Sequence, residues 1–443
     1  MKKSGKVRLS VAVGITVLVI IGVPILFLVF FSSSLTSRIS ELDKQAALLG
    51  LPLTAQDMDK LTAIPAGENS ASMLSKIFAL GKQDIPPKSE PLLARYAPNG
   101  DIKDKSEGIK QFIKDQAQLV QKCEPLFALL PAALSKPYCS FTKDWSNPTE
   151  AIFPEYAQFR EISKLMTVKI QVDLDQGNEK QAVKDFREDF SLANITGTDP
   201  TVIGALVATS ETSESISIGR SIFLKNLRSP QTLQQLANVV KASAPINFAN
   251  LIKGETYFNL YSIDHANELP PGYFNGFSDQ SRPTWTRFAY TRGLVREKVE
   301  KGLIQDYQLL VQNPENYPKV ELAFKSNEPK FNDPSAMEST YLSFISATYQ
   351  AVTKSETLKK AFIAVCDVAI YYNQHHKAPA TLADAGFHDL NPLTNASYEY
   401  SPTPNGFHLV VMPAPTSESG ADMAPSIHAI EERHSLQYSV SFN

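Results

Sequence analysis

Apolar residues recur at intervals of three and four along most of the chain, which predicts a mainly α-helical protein. The stretch from residue 109 to 120 is one example, with apolar positions at Ile109, Phe112, Ile113, Leu119 and Val120. The stretch 155–195 predicts two helices separated at Gly177-Asn178, because glycine often ends a helix and asparagine often begins one. We therefore expect a helical hairpin within the body of the protein.

The second helix of this hairpin includes the sequence GNEKQAVKDFREDFSLA, which starts at Gly177. The pair resembles one helix-turn-helix unit of the tetratricopeptide type. A true array would repeat the unit every 34 residues, and the next helix, DPTVIGALVATSETSESISIGRSIF, does not reproduce the pattern. The sequence therefore predicts one antiparallel helical pair and no repeat array.

The hydrophobic period changes near Pro379. Apolar residues before it follow helical spacing, as at Phe362, Val365, Ala369 and Tyr372. After it, the stretches SYEYSP and GFHLVVMP alternate in the manner of strands and are separated by Pro404-Asn405-Gly406. A helix and two short strands predict a small α+β module with an antiparallel sheet, in which Tyr372, Tyr398 and Phe407 lie close together beneath the helix.

Residues 358–413 resemble the C-terminal pattern of bacterial pseudopilin-type modules, which occur in type II secretion and in exported proteins of unknown function. The matching features are Tyr371 or Tyr372, Pro379, Leu382 with Asp384, Asn391-Pro392-Leu393-Thr394, Tyr398-Glu399-Tyr400 and Gly406-Phe407. The resemblance implies the fold of this module and no particular chemistry. The N-terminus lacks the pilin leader and the acidic residue within the hydrophobic helix, and no calcium-binding loop is recognisable, so no calcium ligand is inferred.

The N-terminal part contains 21 consecutive residues without a charge, Val11 to Phe31. About 20 apolar residues are needed for a helix to cross a bilayer, and we expect a single uncleaved span at residues 9–31. Four basic residues precede it, whereas the residues that follow mix both signs, so the positive-inside rule predicts a cytoplasmic N-terminus and an external body. A cleaved signal peptide is the alternative, but its apolar region usually has only about 7–15 residues.

The predicted organisation has six parts. Residues 1–39 form a cytoplasmic tip and transmembrane anchor, and residues 40–108 form a stalk and linker that includes a short polar helix near 40–50 and an N-cap at Thr54. An α-helical domain spans 109–312 and a Pro-rich linker spans 313–336. The pseudopilin-like module occupies 337–415, and 416–443 is a tail.

The distribution of charge excludes a broad nucleic-acid surface. Five of the 43 basic groups lie in residues 1–39, which have no acidic group, so residues 40–443 carry 38 basic and 46 acidic groups. A body with a net charge of −8 offers no extended basic patch for phosphates. From the predicted span, we expect the membrane to be a partner, together with proteins of the cell envelope.

The adjacent pair His375-His376 is the strongest candidate for a metal site in the sequence. Adjacent residues on a helix point about 100° apart and cannot hold one ion as an i, i+4 pair does. Both follow an apolar helical pattern, and Ala378-Pro379 ends it. We predict that these histidines mark a helix end and that replacing either with alanine leaves the metal content unchanged, which elemental analysis of the purified variants checks.

Two other groups of polar residues are candidate sites. The tail stretch IHAIEERHSLQ matches neither zinc-protease motif, and its candidates are His428, Glu431, Glu432 and His434. Glu211 and Glu214 lie three residues apart on a predicted helix, so they share a face. Paired acids of this kind are common on protein surfaces, and we expect solvated surface acids here.

A long segment rich in proline, glycine and aromatic residues spans 264–284 and precedes Trp285. Long loops without secondary structure are often functional or act as linkers, so this segment is either a binding surface or a hydrophobic plug. Its candidate residues are Asp264, His265, Tyr273, Phe274, Phe277, Arg282 and the adjacent Trp285. A cleft that pairs His265 with a carboxylate would favour a hydrolase.

The chain contains three cysteines, Cys123, Cys139 and Cys366. In an oxidising compartment the first two could close a short loop, and the alternative is that all three are buried thiols. The sequence contains no C-x-x-C, Walker loop, dinucleotide fingerprint or G-x-S-x-G motif. We therefore predict no catalytic, cofactor-binding or metal-binding residue, and the leading hypothesis is a membrane-anchored external scaffold or binding protein. The alternatives are a component of a secretion or envelope assembly and an exported hydrolase.

Overall fold

The computed structural model describes residues 29–85, 93, 107–150, 153–220, 229–269, 288–314, 316–327, 336–412 and 436–441. The predicted membrane span lies outside these residues except for 29–31, and so do residues 270–287 and the candidate histidines of the tail. Among the helices in the described ranges, none is both long enough and apolar enough to cross a bilayer.

The described part of the chain is mainly helical, as predicted. Residues 29–48 form α1. The further helices are α2 (Ala55–Thr62), α3 (Ala71–Asp84), α4 (Glu107–Lys122), α5 (Glu124–Phe127), α6 (Leu130–Leu134), α7 (Pro154–Asp175), α8 (Glu179–Thr196), α9 (Val202–Ile218), α10 (Pro230–Ala242), α11 (Phe248–Asp264), α12 (Ala289–Gln312), α13 (Tyr317–Asn327) and α14 (Ala336–His375). Two short 3-10 helices lie at Pro148–Glu150 and Ala383–Ala385.

The predicted helical hairpin is α7 and α8, which pack against each other along their length. Gly177 has a φ of +79°, a left-handed conformation that favours glycine at the end of a helix. The backbone N–H of Asn178 donates to the Asp173 carbonyl at 2.7 Å and closes the last turn of α7. Asn178 occupies the N-cap position of α8, although its side chain makes no capping hydrogen bond.

Two other local predictions can be compared with the structure. Thr54 caps α2 as predicted, because its hydroxyl accepts from the Asp57 backbone N–H. The Pro-rich stretch 313–336 was predicted to be a linker, yet it contains α13. Val320 and Phe324 of this helix are buried, and their burial in the core with Tyr349 stabilises a helix that the local prolines obscure in the sequence.

The C-terminal sheet has three antiparallel strands in the order β1 (Glu399–Thr403), β2 (Gly406–Met412) and β3 (Leu436–Ser441). The first two confirm the predicted hairpin, with Tyr400 opposite Leu409 and Thr403 opposite Gly406. The third strand pairs with β2 and lies in the stretch that the sequence analysis treated as a tail. Apolar and polar residues alternate over only a short stretch in this strand, and a long segment separates it from β2. The sequence therefore contains no local hairpin signal for it.

The sheet packs on α14, which is a single helix of 40 residues. The hydroxyl of Tyr398 donates to the Thr357 carbonyl of α14 at 3.0 Å. Tyr398, Phe407 and Tyr372 belong to one hydrophobic cluster, in agreement with the predicted packing. The same cluster includes Phe186 of α8 and Leu233 of α10, so the module and the helical body share a core.

Candidate functional site

The first helix packs lengthwise against α12, and this junction is the candidate functional site. The facing residues of α1 follow a helical stripe of Leu35, Ile39, Leu42 and Ala46. Leu35 is only 4% exposed. A methyl group added at Gly293 of α12 would lie 3.0 Å from Leu35 Cδ2 and 3.6 Å from Ile39 Cδ1, so glycine allows a close approach of the two helices here.

The packing continues toward the C-terminal ends of the two helices. Ala46, Leu51 and Ile304 form a buried cluster, and the partly buried Leu42, Leu49, Leu53 and Tyr307 pack against it. Residues near the start of α1 therefore meet the start of α12, and later residues meet later residues. The two helices run parallel, and their N-termini lie at the same end of the molecule.

A cluster of charged side chains connects α1 to the body beside this apolar stripe. The guanidinium of Arg296 (α12) donates to the carboxylate of Asp43 (α1), with 2.7 Å between Nη2 and Oδ1. It also donates to the carboxylate of Asp264 at the end of α11. Its Nε lies 3.6 Å from Oε2 of Glu300, one turn later on α12. One cation thus joins three helices.

Glu300 is the most deeply buried member of this cluster, with a side chain that is 0% exposed. Burial raises its pKa to about 8, opposed by the charge of Arg296 and assisted by Asp43. Burial also raises the pKa of Asp264, opposed by Arg296 and His265. Neither oxygen of Glu300 has a hydrogen-bond partner of good geometry. The cluster therefore has more acidic groups than Arg296 alone can neutralise.

The titration of Glu300 predicts how stability depends on pH. A carboxyl whose pKa is higher in the folded state binds a proton more tightly there, so its ionisation lowers stability as pH rises from the unfolded pKa to about 8. Relative to the native protein, Glu300→Gln should gain about 1 kcal/mol for each pH unit in that window. Thermal unfolding at pH 5 and pH 8 measures this difference.

The control for this experiment is Glu41→Gln, because the Glu41 side chain on α1 is 63% exposed and is solvated in both states. Its stability should follow that of the native protein at both pH values. A Glu300→Gln variant that also tracked the native protein at both values would contradict the assignment of a protonated, buried Glu300 to the junction.

A second ion pair lies nearer the N-terminal ends of the helices. Nε and Nη2 of Arg38 donate to the two oxygens of Glu297 at 2.6 Å and 3.0 Å. The Arg38 side chain is 49% exposed, so solvent screens the pair and its contribution to stability is small. It fixes the rotation of α1 on α12 more than it stabilises the junction.

Sequence reasoning missed Arg296 and Glu300, although both have a signal in the sequence. They are spaced i, i+4, so on a helix they are neighbours. The apolar stripe from Leu35 to Ala46 also has helical spacing, but the predicted organisation divides it between the anchor, which ends at residue 39, and a short polar stalk near 40–50. The structure corrects that interpretation: the helix is described from residue 29 to 48 and one face of it is buried.

Of the candidate residues in the predicted binding loop, Asp264 and His265 fall within the described residues. The imidazole of His265 stacks on Tyr261 with 4.0 Å between ring centroids. Its Nδ1 lies 3.0 Å from the Tyr261 carbonyl, and Asp264 is engaged by Arg296. Tyr273, Phe274, Phe277, Arg282 and Trp285 lie outside the described residues.

The histidine pair lies at the C-terminal end of α14, as predicted. His376 has a φ of +54°, and its N–H donates to the Tyr372 carbonyl at 2.8 Å. His375 stacks on Tyr371, and its Nδ1 lies 2.9 Å from the Tyr371 carbonyl. This arrangement repeats that of Tyr261 and His265, so in both places a histidine at a helix end covers a tyrosine one turn earlier.

Glu211 differs from the surface acid that the sequence predicts, because it is only 2% exposed. Burial, opposed by a hydrogen bond with Thr196 and assisted by the charges of Asp189 and Glu214, raises its pKa to about 8. Asp189 lies nearby in the same interior and accepts hydrogen bonds from the hydroxyls of Ser163 and Ser215 at 2.8 Å and 2.5 Å. These acids lie between α7, α8 and α9, in the interior of the helical body.

A second buried charge cluster joins the loop before α7 to α9 and α11. Lys143 donates to Asp199 with 2.5 Å between Nζ and Oδ2, and it lies 3.4 Å from Glu155 Oε1. The nearby Glu255 carboxyl accepts from the Val202 N–H at 2.9 Å, and burial raises its pKa to about 7. The Glu255 carboxyl thereby provides a hydrogen-bond acceptor for a backbone N–H at the start of α9. We assign this cluster a structural role.

The three cysteines are free thiols, and all are buried. Cys123 and Cys139 belong to the same hydrophobic cluster, and burial raises their pKa values to about 11 and about 12. Of the two alternatives for this pair, the structure has the buried thiols. Their reactivity is low, since the thiolate is the reactive form.

An open surface depression lies along one helix, α1, where Ser33, Ser37, Ser40 and Lys44 are among its lining residues. It gathers no set of convergent catalytic groups. Within the described ranges, no group of three or more histidine, cysteine, aspartate or glutamate side chains could hold a metal ion. No family model, curated protein or solved structure matches the chain.

Proposed function

We propose that the protein is a membrane-anchored external scaffold or binding protein without catalytic activity. The observation that supports this proposal is the docking of α1 on α12 through the apolar stripe and Arg296. The predicted span ends at Phe31, and α1 is packed against the body from Leu35 onward. Only about one helical turn separates the two, so the body is held beside the bilayer in a fixed orientation.

A fixed orientation suits a protein that presents a surface to partners in the envelope. An enzyme acting on diffusible substrates gains nothing from being rigidly joined to its anchor, and a flexible stalk would suffice. A scaffold gains from it, because restricting the position and orientation of a binding surface raises its effective concentration toward other membrane components. The partners are proteins of the cell envelope.

The test of the anchor uses the full chain in spheroplasts. External protease should digest the protein beyond residue 40 and leave a protected N-terminal fragment, and the protein should resist extraction from membranes by alkaline carbonate. Shielding of residues beyond 40 from external protease would overturn the proposed topology. Recovery in the soluble fraction would overturn the anchor itself.

A matched pair of variants sharpens this test. Ile21→Lys places a charge at the centre of the predicted span, which opposes insertion by about 2.5–3.5 kcal/mol. Leu48→Lys makes the same kind of change at an exposed position on α1, where the native leucine is 88% exposed. We expect the first to reduce the carbonate-resistant fraction and the second to leave it unchanged.

A component of a secretion or envelope assembly is the second candidate. The observation that favours it is the packing of α14 on a short antiparallel sheet, which has the element order expected from the pseudopilin resemblance. Affinity purification from detergent-solubilised membranes tests it: copurification of an assembly ATPase or an outer-membrane channel would support this candidate. The hydrolase alternative lacks a comparable observation, since the Nδ1 of His265 lies against a backbone carbonyl rather than a carboxylate.

A further inference from the structure

The N-terminal end of the α1–α12 pair exposes large apolar side chains. On α1, Val29 is 61% exposed, Phe30 is 70% exposed and Phe31 is 42% exposed. Exposed aromatic residues of this size are unusual on a water-facing surface when they occur together. Val29, Phe30 and Phe31 are the last residues of the predicted span, so the span accounts for these exposed apolar side chains.

Phe288, which immediately precedes α12, is also exposed, by 61%. Because α1 and α12 run parallel and Leu35 meets Gly293, one turn back along each helix leads to Phe31 and Ala289. Phe288 therefore lies at the same level as the Phe30–Phe31 end of α1. The predicted span does not account for this residue, since it is more than 250 positions away in the sequence.

Of the basic residues at this end, Arg38 pairs with Glu297, and Arg296 pairs with Asp43 and Asp264, although the first turns of both helices contain no acidic residue. Residues 29–40 contain Arg38 and no acid, and residues 288–296 contain Arg292 and Arg296 and no acid. The first acidic residues of the two helices are Glu41 and Glu297. Aromatic and basic side chains together are typical of protein surfaces at the membrane–water interface, where anionic headgroups attract cations.

We infer that the N-terminal end of α12, with Phe288 at its tip, is a second membrane contact, which inserts into the headgroup region of the bilayer beside the predicted span. This inference rests on the proposed membrane anchor. The occupant is the lipid surface because the uncharged run from Val11 ends at the level of Phe288. A span through the bilayer would bring this tip to the bilayer surface, where a partner protein would have to displace lipid.

A second contact reinforces the orientation that the predicted span and the docked α1 already impose. With Phe288 at the interface, α12 rises away from the bilayer, and its 24 residues reach about 36 Å at 1.5 Å per residue. Val311 lies near the distal end of the same helix and is 56% exposed. It is a matched control, since it is also an exposed apolar residue on α12.

The test uses the full chain reconstituted in vesicles of phosphatidylethanolamine and phosphatidylglycerol. Phe288→Cys and Val311→Cys are each labelled with a polarity-sensitive fluorophore, and the buried native thiols serve as the unlabelled background. Lipids with a nitroxide on the headgroup then quench labels at the interface. We expect the label at 288 to shift to the blue and to lose most of its emission, while the label at 311 changes in neither respect.

Vesicle flotation in the same samples separates the inference from the proposed function. If the protein floats with the vesicles and the label at 288 behaves as the label at 311 does, the second contact is wrong and the anchor stands. If the protein does not float, both the anchor and the inference fail. If both labels are quenched equally, α12 lies flat on the membrane, which also overturns the proposed contact.

Discussion

Gly254→Ala should lower the free energy of unfolding by about 3 kcal/mol or more, because forced overpacking costs up to about that amount and more when backbone is displaced. Gly254 lies in α11 beneath the loop that precedes α9. A methyl group added there would overlap the Pro200 carbonyl oxygen, and that carbonyl belongs to backbone that cannot rotate away.

Helix propensity alone predicts the opposite change in the free energy of unfolding. Alanine stabilises the interior of a helix relative to glycine by roughly 1 kcal/mol, so a stabilised Gly254→Ala variant would mean that the close contact is absent. Chemical denaturation followed by circular dichroism measures the change. Gly67→Ala is the control, because nothing lies within 4 Å of the methyl group it would add, and its effect should stay within about 0.5 kcal/mol.

Arg296→Ala should lower the free energy of unfolding by about 3 kcal/mol, the lower end of the range for removing one partner from a buried charge cluster. The substitution leaves Asp43, Asp264 and Glu300 without their cation. The effect is at the lower end because the side chains of Asp43 and Asp264 are 36% and 40% exposed, so water can solvate them in part. Chemical denaturation measures it.

Arg38→Ala is the matched control for Arg296→Ala, since it also removes an arginine that joins α1 to α12. Because solvent screens its exposed ion pair with Glu297, Arg38→Ala should lower the free energy of unfolding much less than Arg296→Ala does. Adding Glu300→Gln to Arg296→Ala should recover part of the loss by removing the most buried carboxyl. Equal effects of Arg296→Ala and Arg38→Ala would show that the buried cluster does not stabilise the junction.

The sequence predicts local structure well where a single period decides it. Gly177-Asn178 separates the hairpin helices as expected, and the two strands around Gly406 form the predicted hairpin. It fails where distant residues decide the outcome. The strand Leu436–Ser441 forms because β2 offers a free edge, and α13 forms because Val320 and Phe324 find partners on other helices.

Prediction from the sequence fails at the candidate site for the same reason, because distant residues form it. Leu35, Ile39 and Ala46 are visible as a stripe, but a stripe predicts burial without identifying its partner. The partner, Gly293, lies more than 240 residues later, and Arg296 joins residues from three distant segments. The sequence predicts a surface acid at Glu211, because the local pattern of α9 contains no signal that α7 and α8 cover this side of it.

The central claim is that α1 is docked on the body rather than free as a stalk. Hydrogen–deuterium exchange of the full chain in lipid nanodiscs tests it most directly, because a docked helix opens only with the structure that holds it, whereas an isolated helix frays rapidly. The account predicts that amides of residues 35–46 exchange as slowly as those of α12 and that Arg296→Ala accelerates them selectively. Rapid exchange of residues 35–46 in the native protein, with α12 still protected, would contradict it.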